Sequence, residues 1–401
     1  MSAIKLSDCV GRIKESPTLA ITAKAARYKS EGKDIIGLAA GEPDFDTPQH
    51  IKDAAKKAID NGFTKYTPVS GIPSLKKAII DKFKRDNSLE YALNEVIVGV
   101  GGKQCIFNFC LAVLNAGDEV IIPAPYWVSY ADIALVSNAK PVIVECGIEQ
   151  KFKMTALQLE NAISPKTKLL MLNSPSNPTG AVYSKEELKS LAKILIKHPN
   201  ILIGTDDMYE HVKLKDMPFY NILNVEPNLK DRCVIMNGVS KAYSMTGWRI
   251  GFAAGPSYII KAMEILQSQS TSNPTSISQV AAEAALSGDQ TCMQPMIKAF
   301  RERHDFVVKS FNEIQGLYCI EAEGAFYAFP DAREAIENLY DKKILKEKND
   351  LALADYLLEK EGVAVVPGSA FGAEGYFRIS FATSMKNLKE ALTRIKRALS
   401  V

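Results

Sequence analysis

A lysine that attacks a carbonyl must be able to shed its proton, so it has to sit at the mouth of a buried element rather than in bulk water. Lys241 has that setting. It lies in Ser240-Lys241-Ala242-Tyr243-Ser244-Met245-Thr246-Gly247-Trp248-Arg249-Ile250-Gly251, just after the apolar run Cys233-Val234-Ile235-Met236-Asn237. The run reads as a buried strand, and Lys241 as a residue on its exit. Hydroxyls flank the lysine, and Arg249 follows eight residues on, a set able to hold a phosphate beside the amine. Taken alone, a solvated surface lysine explains the same residue equally well.

Three more polar groups follow apolar runs. After residues 96–100 comes Gly101-Gly102-Lys103-Gln104, where two glycines allow close backbone approach and the next helix offers free N–H groups to an anion. It is not a P-loop, because Ile97 stands where the first glycine is required and Gln104 replaces Ser/Thr; it also fails the dinucleotide glycine pattern. A tight strand-to-helix turn explains it as well. After residues 168–173 comes Asn173-Ser174-Pro175-Ser176-Asn177-Pro178-Thr179-Gly180, a rigid turn or a placement of the Asn177 amide at a ligand oxygen. After residues 201–205 come Asp206, Asp207 and Tyr209. Asp206 is either a helix cap or a fixed carboxylate for a cationic ring nitrogen.

The elements that must position these groups alternate from residue 94 to 255. Apolar, β-rich runs at 96–100, 119–123, 141–145, 168–173, 201–205, 233–237 and 250–254 are separated by amphipathic stretches. One of these, 184–197, opens with a Ser184/Glu187 capping box. The alternation predicts an α/β domain around a mainly parallel sheet of seven strands. Ligands of such sheets bind beyond the strands' carboxyl ends, where all four candidate groups fall. An amine nucleophile, an acid, a phosphate cradle and an arginine on one edge together specify a phosphorylated carbonyl ligand held covalently. Pyridoxal 5′-phosphate fits.

The remaining chain argues against other classes. Its 401 residues suit two domains, and 47% hydrophobic with 24% charged residues is the composition of a soluble globular protein. A net charge of +3 without a basic stripe gives no reason to invoke nucleic acid. No run approaches a membrane span or a signal peptide, so a cytoplasmic protein is expected. Seven scattered cysteines without a C-x-x-C pair are expected to be reduced thiols, and the histidines at 50, 198, 211 and 304 lack metal-ligand spacing, so no metal is expected. Beyond residue 290 the rhythm changes to that of a smaller α+β unit. The charge-rich stretch 341–350 reads as the solvated face of a helix, and the first 45 residues as an arm and linking segment.

Ser240-Lys241-x-x-Ser244-x-x-Gly247-x-Arg249-x-Gly251 resembles the cofactor signature of class I aminotransferases, which adopt fold type I of the pyridoxal-phosphate enzymes. Asn177-Pro178-Thr179-Gly180, Asp206-x-x-Tyr209, Ala40-Gly41-Glu42-Pro43-Asp44-Phe45 and Tyr376-Phe377-Arg378-Ile379-Ser380 match that family in order and spacing, so the resemblance covers nearly the whole chain. It is nearest to bacterial aspartate aminotransferases of the subgroup that also uses prephenate. The resemblance implies that Lys241 carries the cofactor and moves protons, that Asp206 pairs with its ring nitrogen, and that Tyr209 and Asn177 hydrogen-bond the ring oxygen. Trp127 would stack on the ring. Gly101, Gly102, Lys103, Ser244 and Arg249 would surround the cofactor's phosphate end, and Tyr66 would reach in from the second subunit of a homodimer. For the substrate, it implies Arg378 and Gly41 at the α-carboxylate, with Trp127 and Asn177 alongside. Lys103, with Ser16 or Thr18, would take the distal group, and Lys14 would serve prephenate recognition.

The expected division is an arm at 1–45, a cofactor domain at 46–290 and a small domain at 291–401. The expected reaction is amino transfer between aspartate or glutamate and 2-oxo acids, prephenate included. The alternatives are aromatic or alanine transamination, or β-elimination on the same scaffold. A transcriptional regulator built on such a domain is disfavoured, since no room for a DNA-binding module precedes residue 40.

Overall fold

The computed structural model describes residues 4–15 and 17–400. Seven strands form one sheet in the order Val96–Gly99, Gly251–Ala254, Cys233–Gly238, Leu202–Asp206, Thr167–Asn173, Glu119–Ala124, Lys140–Glu145. Pairing is parallel except at Gly251–Ala254, which runs against both its neighbours. Each of the seven apolar runs is therefore a strand, to within one residue at either end.

These runs are continuously apolar because both faces of the sheet are covered. Successive side chains point to opposite faces, and the cores divide accordingly. Cys233 and Ile235 pack into one core, Val234 and Met236 into another. Lys185–Lys197 covers the first face with Leu188, Leu191, Ala192 and Leu195. Its start is fixed as the capping box requires: Ser184 Oγ accepts from Glu187 N at 3.2 Å, and Glu187 Oε2 accepts from Ser184 N at 2.7 Å. Gly102–Val113 covers the second face with Cys105, Ile106, Phe109 and Cys110.

The smaller unit has its own core, built from Gln294–Asn312 and Met385–Leu399 against the antiparallel strands Val366–Pro367, Phe377–Ser380 and Tyr327–Ala328. The early segment 36–38 packs with it. Ile36–Gly37 pairs in parallel with Val363–Ala364, and Ser380 N donates to Leu38 O at 2.7 Å.

Two stretches differ from expectation. Residues 341–350 are not a helix: Arg333–Asp341 stops, Lys343 turns through φ 60°, and the N–H groups of Ile344 and Leu345 fold back onto Leu339 O. That turn buries Leu345 in the small core, and Asn349 then caps Asp350–Glu361. Two adjacent apolar residues in a charged run, Ile344 and Leu345, are drawn inward rather than laid along a helix. Near the start, Pro17–Ser30 is helical although only Ala25 of it is buried, so it carries no apolar face to read from sequence. All seven cysteines are free thiols, and no described helix is long and apolar enough to cross a membrane.

Candidate active site

The carboxyl ends of the parallel strands open into a cavity of about 250 Å³. Asn173 and Asp206 close adjacent strands, Lys241 follows the next, and Gly101–Gly102 joins the outermost strand to its helix. The four sequence signals thus meet because one sheet edge carries them all. Arg378 enters from the small unit, from the strand Phe377–Ser380.

Lys241 Nζ donates to Gly41 O at 2.6 Å and lies 6.0 Å from the centre of the Tyr209 ring. Burial lowers its pKa to about 8, helped by Arg378 and Arg249 and opposed by Glu42 and Asp206. At neutral pH an appreciable fraction of the amine is therefore unprotonated. Asp206 is buried; its Oδ2 accepts from the Tyr130 hydroxyl at 2.6 Å and its Oδ1 from Met208 N at 3.3 Å. The carboxylate accepts from the turn that follows and also faces the cavity. Burial raises its pKa, which makes a cationic partner in the cavity favourable.

Arg378 is 2% exposed. Nη1 donates to Asn177 Oδ1 at 2.8 Å and Nη2 to Ala39 O at 2.7 Å, while Nε is buried without a partner. The guanidinium lies 4.4 Å from the Tyr327 ring centre and 4.9 Å from that of Phe371. A buried cation with an unused N–H is a site for an anion that arrives with the ligand. Asn177 is itself held, its N–H donating to Asn173 Oδ1 at 2.8 Å.

Gly101, Gly102 and Arg249 offer a second place where an anion could be received. Gly101 takes φ 80°, and a Cβ there would stand 2.5 Å from Arg249 Nη2, so glycine is required for the arginine to close on the loop. Gly102 begins the helix and leaves free N–H groups. Lys103 Nζ lies 5.0 Å from the Trp127 ring centre, and burial lowers its pKa. Among the described residues, four cationic side chains, Lys103, Lys241, Arg249 and Arg378, line the cavity against one carboxylate, that of Asp206. A ligand with two anionic groups and a carbonyl fits this lining.

Gly41, Trp127, Asn177 and Tyr209 also line the cavity, as does Thr18. Other candidates stand apart. Ser244 Oγ points to Met296 Sδ at 3.4 Å, while Ser240 and Thr246 reach the cavity in its place. Tyr66 is 92% exposed on this chain, and Lys14 is exposed beside Asp132. Ser16 lies outside the described residues. The sequence did not point to Tyr130 or Tyr327. Tyr130 carries a weak local signal, since it sits three residues after Trp127 with the rings edge-on at 5.3 Å.

Behind the site, Glu210 and Lys82 form an ion pair in which both are at most 4% exposed. Asn87 donates to Glu210 Oε2 at 2.7 Å and Asn237 to Oε1 at 2.8 Å. This ties the turn carrying Tyr209 to the strand leading to Lys241. Asp86 and His211 join the same network, with Lys82 Nζ 3.8 Å from Asp86.

Comparison with known proteins agrees with this geometry. The profile of the aminotransferase class I and II family matches residues 33–395. The aspartate/prephenate aminotransferase of Nitrosomonas europaea is 63% identical over 397 residues, 99% of this chain and 100% of its own. Aspartate aminotransferase from Rhizobium meliloti superposes with a TM-score of 0.94 at 48% identity, covering 99% of each chain. Aspartate aminotransferase from Thermus thermophilus with maleate gives 0.92 at 40%, covering 99% and 100%. Lysine, aspartate and arginine meeting at one sheet edge are thus found in a chain whose whole length matches these enzymes, and it belongs to the class I and II aminotransferase family.

Proposed function

We propose that this chain is a pyridoxal-phosphate-dependent aspartate aminotransferase that also accepts prephenate. The observation that carries the reading is the convergence of Lys241, Asp206 and Arg378 on one cavity, in a chain so similar to an aspartate/prephenate aminotransferase. The residues present fit the cofactor. Lys241 offers the amine, Asp206 an acid for the ring nitrogen, Trp127 a ring face, and Gly101, Gly102 and Arg249 a phosphate cradle, which Ser244 joins by turning its hydroxyl off Met296. Bound there, pyridoxal phosphate supplies an aldehyde that takes up the amino group and a ring that withdraws electrons from the substrate Cα.

The protein's part follows from its geometry. Arg378 takes the α-carboxylate as a bidentate pair, and Gly41 brings its backbone to the same group. Lys241, its proton affinity lowered by burial, would remove the Cα proton as a general base and, as a general acid, deliver a proton to the former aldehyde carbon on the other side of the amino nitrogen. Asp206, steadied by Tyr130, keeps the ring nitrogen protonated. Tyr209 and Asn177 address the ring oxygen. Lys103, with Thr18, takes the distal carboxylate, and Lys14 is the residue we assign to prephenate. With pyridoxal phosphate bound, the transfer would run in two half-reactions, the donor amino acid entering first and the 2-oxo acid second.

We also propose a cytoplasmic homodimer in which the exposed Tyr66 serves the partner's phosphate site. Residues 1–45 and 291–401 would close on 46–290 over bound substrate and exclude water. The test is a paired assay on the pure protein, with aspartate or glutamate as donor and 2-oxoglutarate, oxaloacetate or prephenate as acceptor. Turnover with the dicarboxylates and prephenate is expected. Ammonia and pyruvate released from serine or cysteine in place of transamination of aspartate, or turnover restricted to aromatic or alanine pairs, would sink the assignment.

A further inference from the structure

Tyr327 was not singled out from the sequence, yet it touches three groups of the site at once. Its hydroxyl is 2.7 Å from that of Tyr209, and both are buried. Among the described residues neither phenol has another hydrogen-bond partner. A Cβ on Gly41 would stand 2.8 Å from the same Tyr327 oxygen, so the backbone whose carbonyl holds Lys241 passes against it. The Arg378 guanidinium lies over the Tyr327 ring at 4.4 Å. Tyr327 belongs to the small unit's sheet, one strand from Arg378, whereas Tyr209 follows a strand of the large sheet.

Each phenol carries one proton, so the pair shares one and leaves the other free. The direction of the shared bond decides what Tyr209 can do. If Tyr209 donates to Tyr327, its proton is spent there. If Tyr327 donates, the Tyr209 proton is free to turn into the cavity. A cation over an aromatic face stabilises negative charge on that ring, so the Arg378 guanidinium makes Tyr327 the better donor. Among the described residues, the cation over the Tyr209 ring is Lys241, at 6.0 Å, and it is farther away than Arg378 is from the Tyr327 ring.

We infer that Tyr327 is a positioning residue: it donates its hydroxyl proton to Tyr209, directing the Tyr209 proton at the cofactor's ring oxygen and strengthening that bond. The inference rests on the function proposed above. A stronger hydrogen bond to the ring oxygen stabilises its anion and holds down the proton affinity of the adjoining lysine-linked nitrogen. Tyr327 thereby links the arginine that senses the substrate's carboxylate to the hydroxyl that tunes the cofactor.

The test is a pH titration of the visible absorption of the cofactor-loaded protein, without substrate. Tyr327→Phe removes one oxygen and keeps the ring under Arg378. Losing one hydrogen bond that acts through a second should raise the titration midpoint by about 0.5–1 pH unit. Tyr209→Phe should raise it further, and adding Tyr327→Phe to Tyr209→Phe should then change nothing. A Tyr327→Phe midpoint within about 0.2 unit of the wild type, a downward shift, or an equal shift in the Tyr209→Phe background would each overturn the inference. A wild-type protein with no titrating visible band would instead overturn the proposed function, so the two failures are distinct.

Discussion

Arg378→Lys is the substitution whose cost can be worked from the structure. A guanidinium has five N–H groups. In Arg378 two are committed, to Asn177 and Ala39, which leaves three for a carboxylate, including the unpartnered Nε. An ammonium has three N–H groups. If two still serve Asn177 and Ala39, one remains, and the two-pronged grip on the α-carboxylate falls to a single bond. One charge-assisted hydrogen bond is worth about 1.5–3 kcal/mol, so kcat/KM for aspartate should fall by roughly 10- to 150-fold. Pyridoxal phosphate should bind within about twofold of the wild type, because Arg378 is not among the residues we propose to hold it; such a change is small on the tenfold-per-1.4 kcal/mol scale. The assay is steady-state transamination of aspartate and 2-oxoglutarate, with cofactor affinity from a fluorescence titration and a thermal melt as a check on folding. A fall of less than about threefold in a folded variant, under 1 kcal/mol, would refute the reasoning. So would a loss of cofactor affinity as large as the loss of catalysis.

Two more outcomes follow from the same coordinates. Lys241 titrates at about 8 in the folded, ligand-free protein, below the ordinary lysine value of 10.5, so its free-amine fraction climbs about tenfold per pH unit below that point. Cofactor uptake by the ligand-free protein should rise with pH and level off above about 8, and a flat rate from pH 6 to 9 would contradict it. Between about 8 and 10.5 the unfolded chain binds the proton that folded Lys241 has lost, so this residue's contribution to stability increases with pH across that window. Glu210→Ala would strand the buried Lys82 and should cost about 3 kcal/mol in a denaturant melt, whereas Lys82→Met with Glu210→Gln should cost less; equal losses would mean the ion pair is not what holds this region.

What the sequence disclosed depended on how local the signal was. The strands were legible because each is buried on both faces and is therefore apolar at every position, and the groups that follow them had to share an edge. Lys241, Asp206 and Asn177 were found by that logic before any family likeness was weighed. Arg378 was not: within Tyr376-Phe377-Arg378-Ile379-Ser380 nothing local separates a buried anion receptor from a surface ion-pair partner, and only the resemblance did so. Tyr130 and Tyr327 were missed because their importance is a contact, made to residues 76 and 118 positions away. The turn at 342–349 was misread as helix because charge alternation looks alike on a solvated helix and on a loop that tucks two side chains inward. Pro17–Ser30 went unseen because a helix lying on the surface needs no apolar stripe.

The pairing of Ile36–Gly37 with Val363–Ala364 has a consequence for how the molecule is made. Those partners are roughly 330 residues apart, so at about 10 residues per second the early segment leaves the ribosome some half a minute before its partner strand exists. Through that interval Ile35, Ile36 and Leu38 have no native place to bury, and Ala39 has no arginine for its carbonyl. The large sheet can form during synthesis, with its lysine and acid in place. Arg378 must wait for the synthesis of residues 377–380, so the cavity lacks its most deeply buried cation until nearly all of the chain has been made.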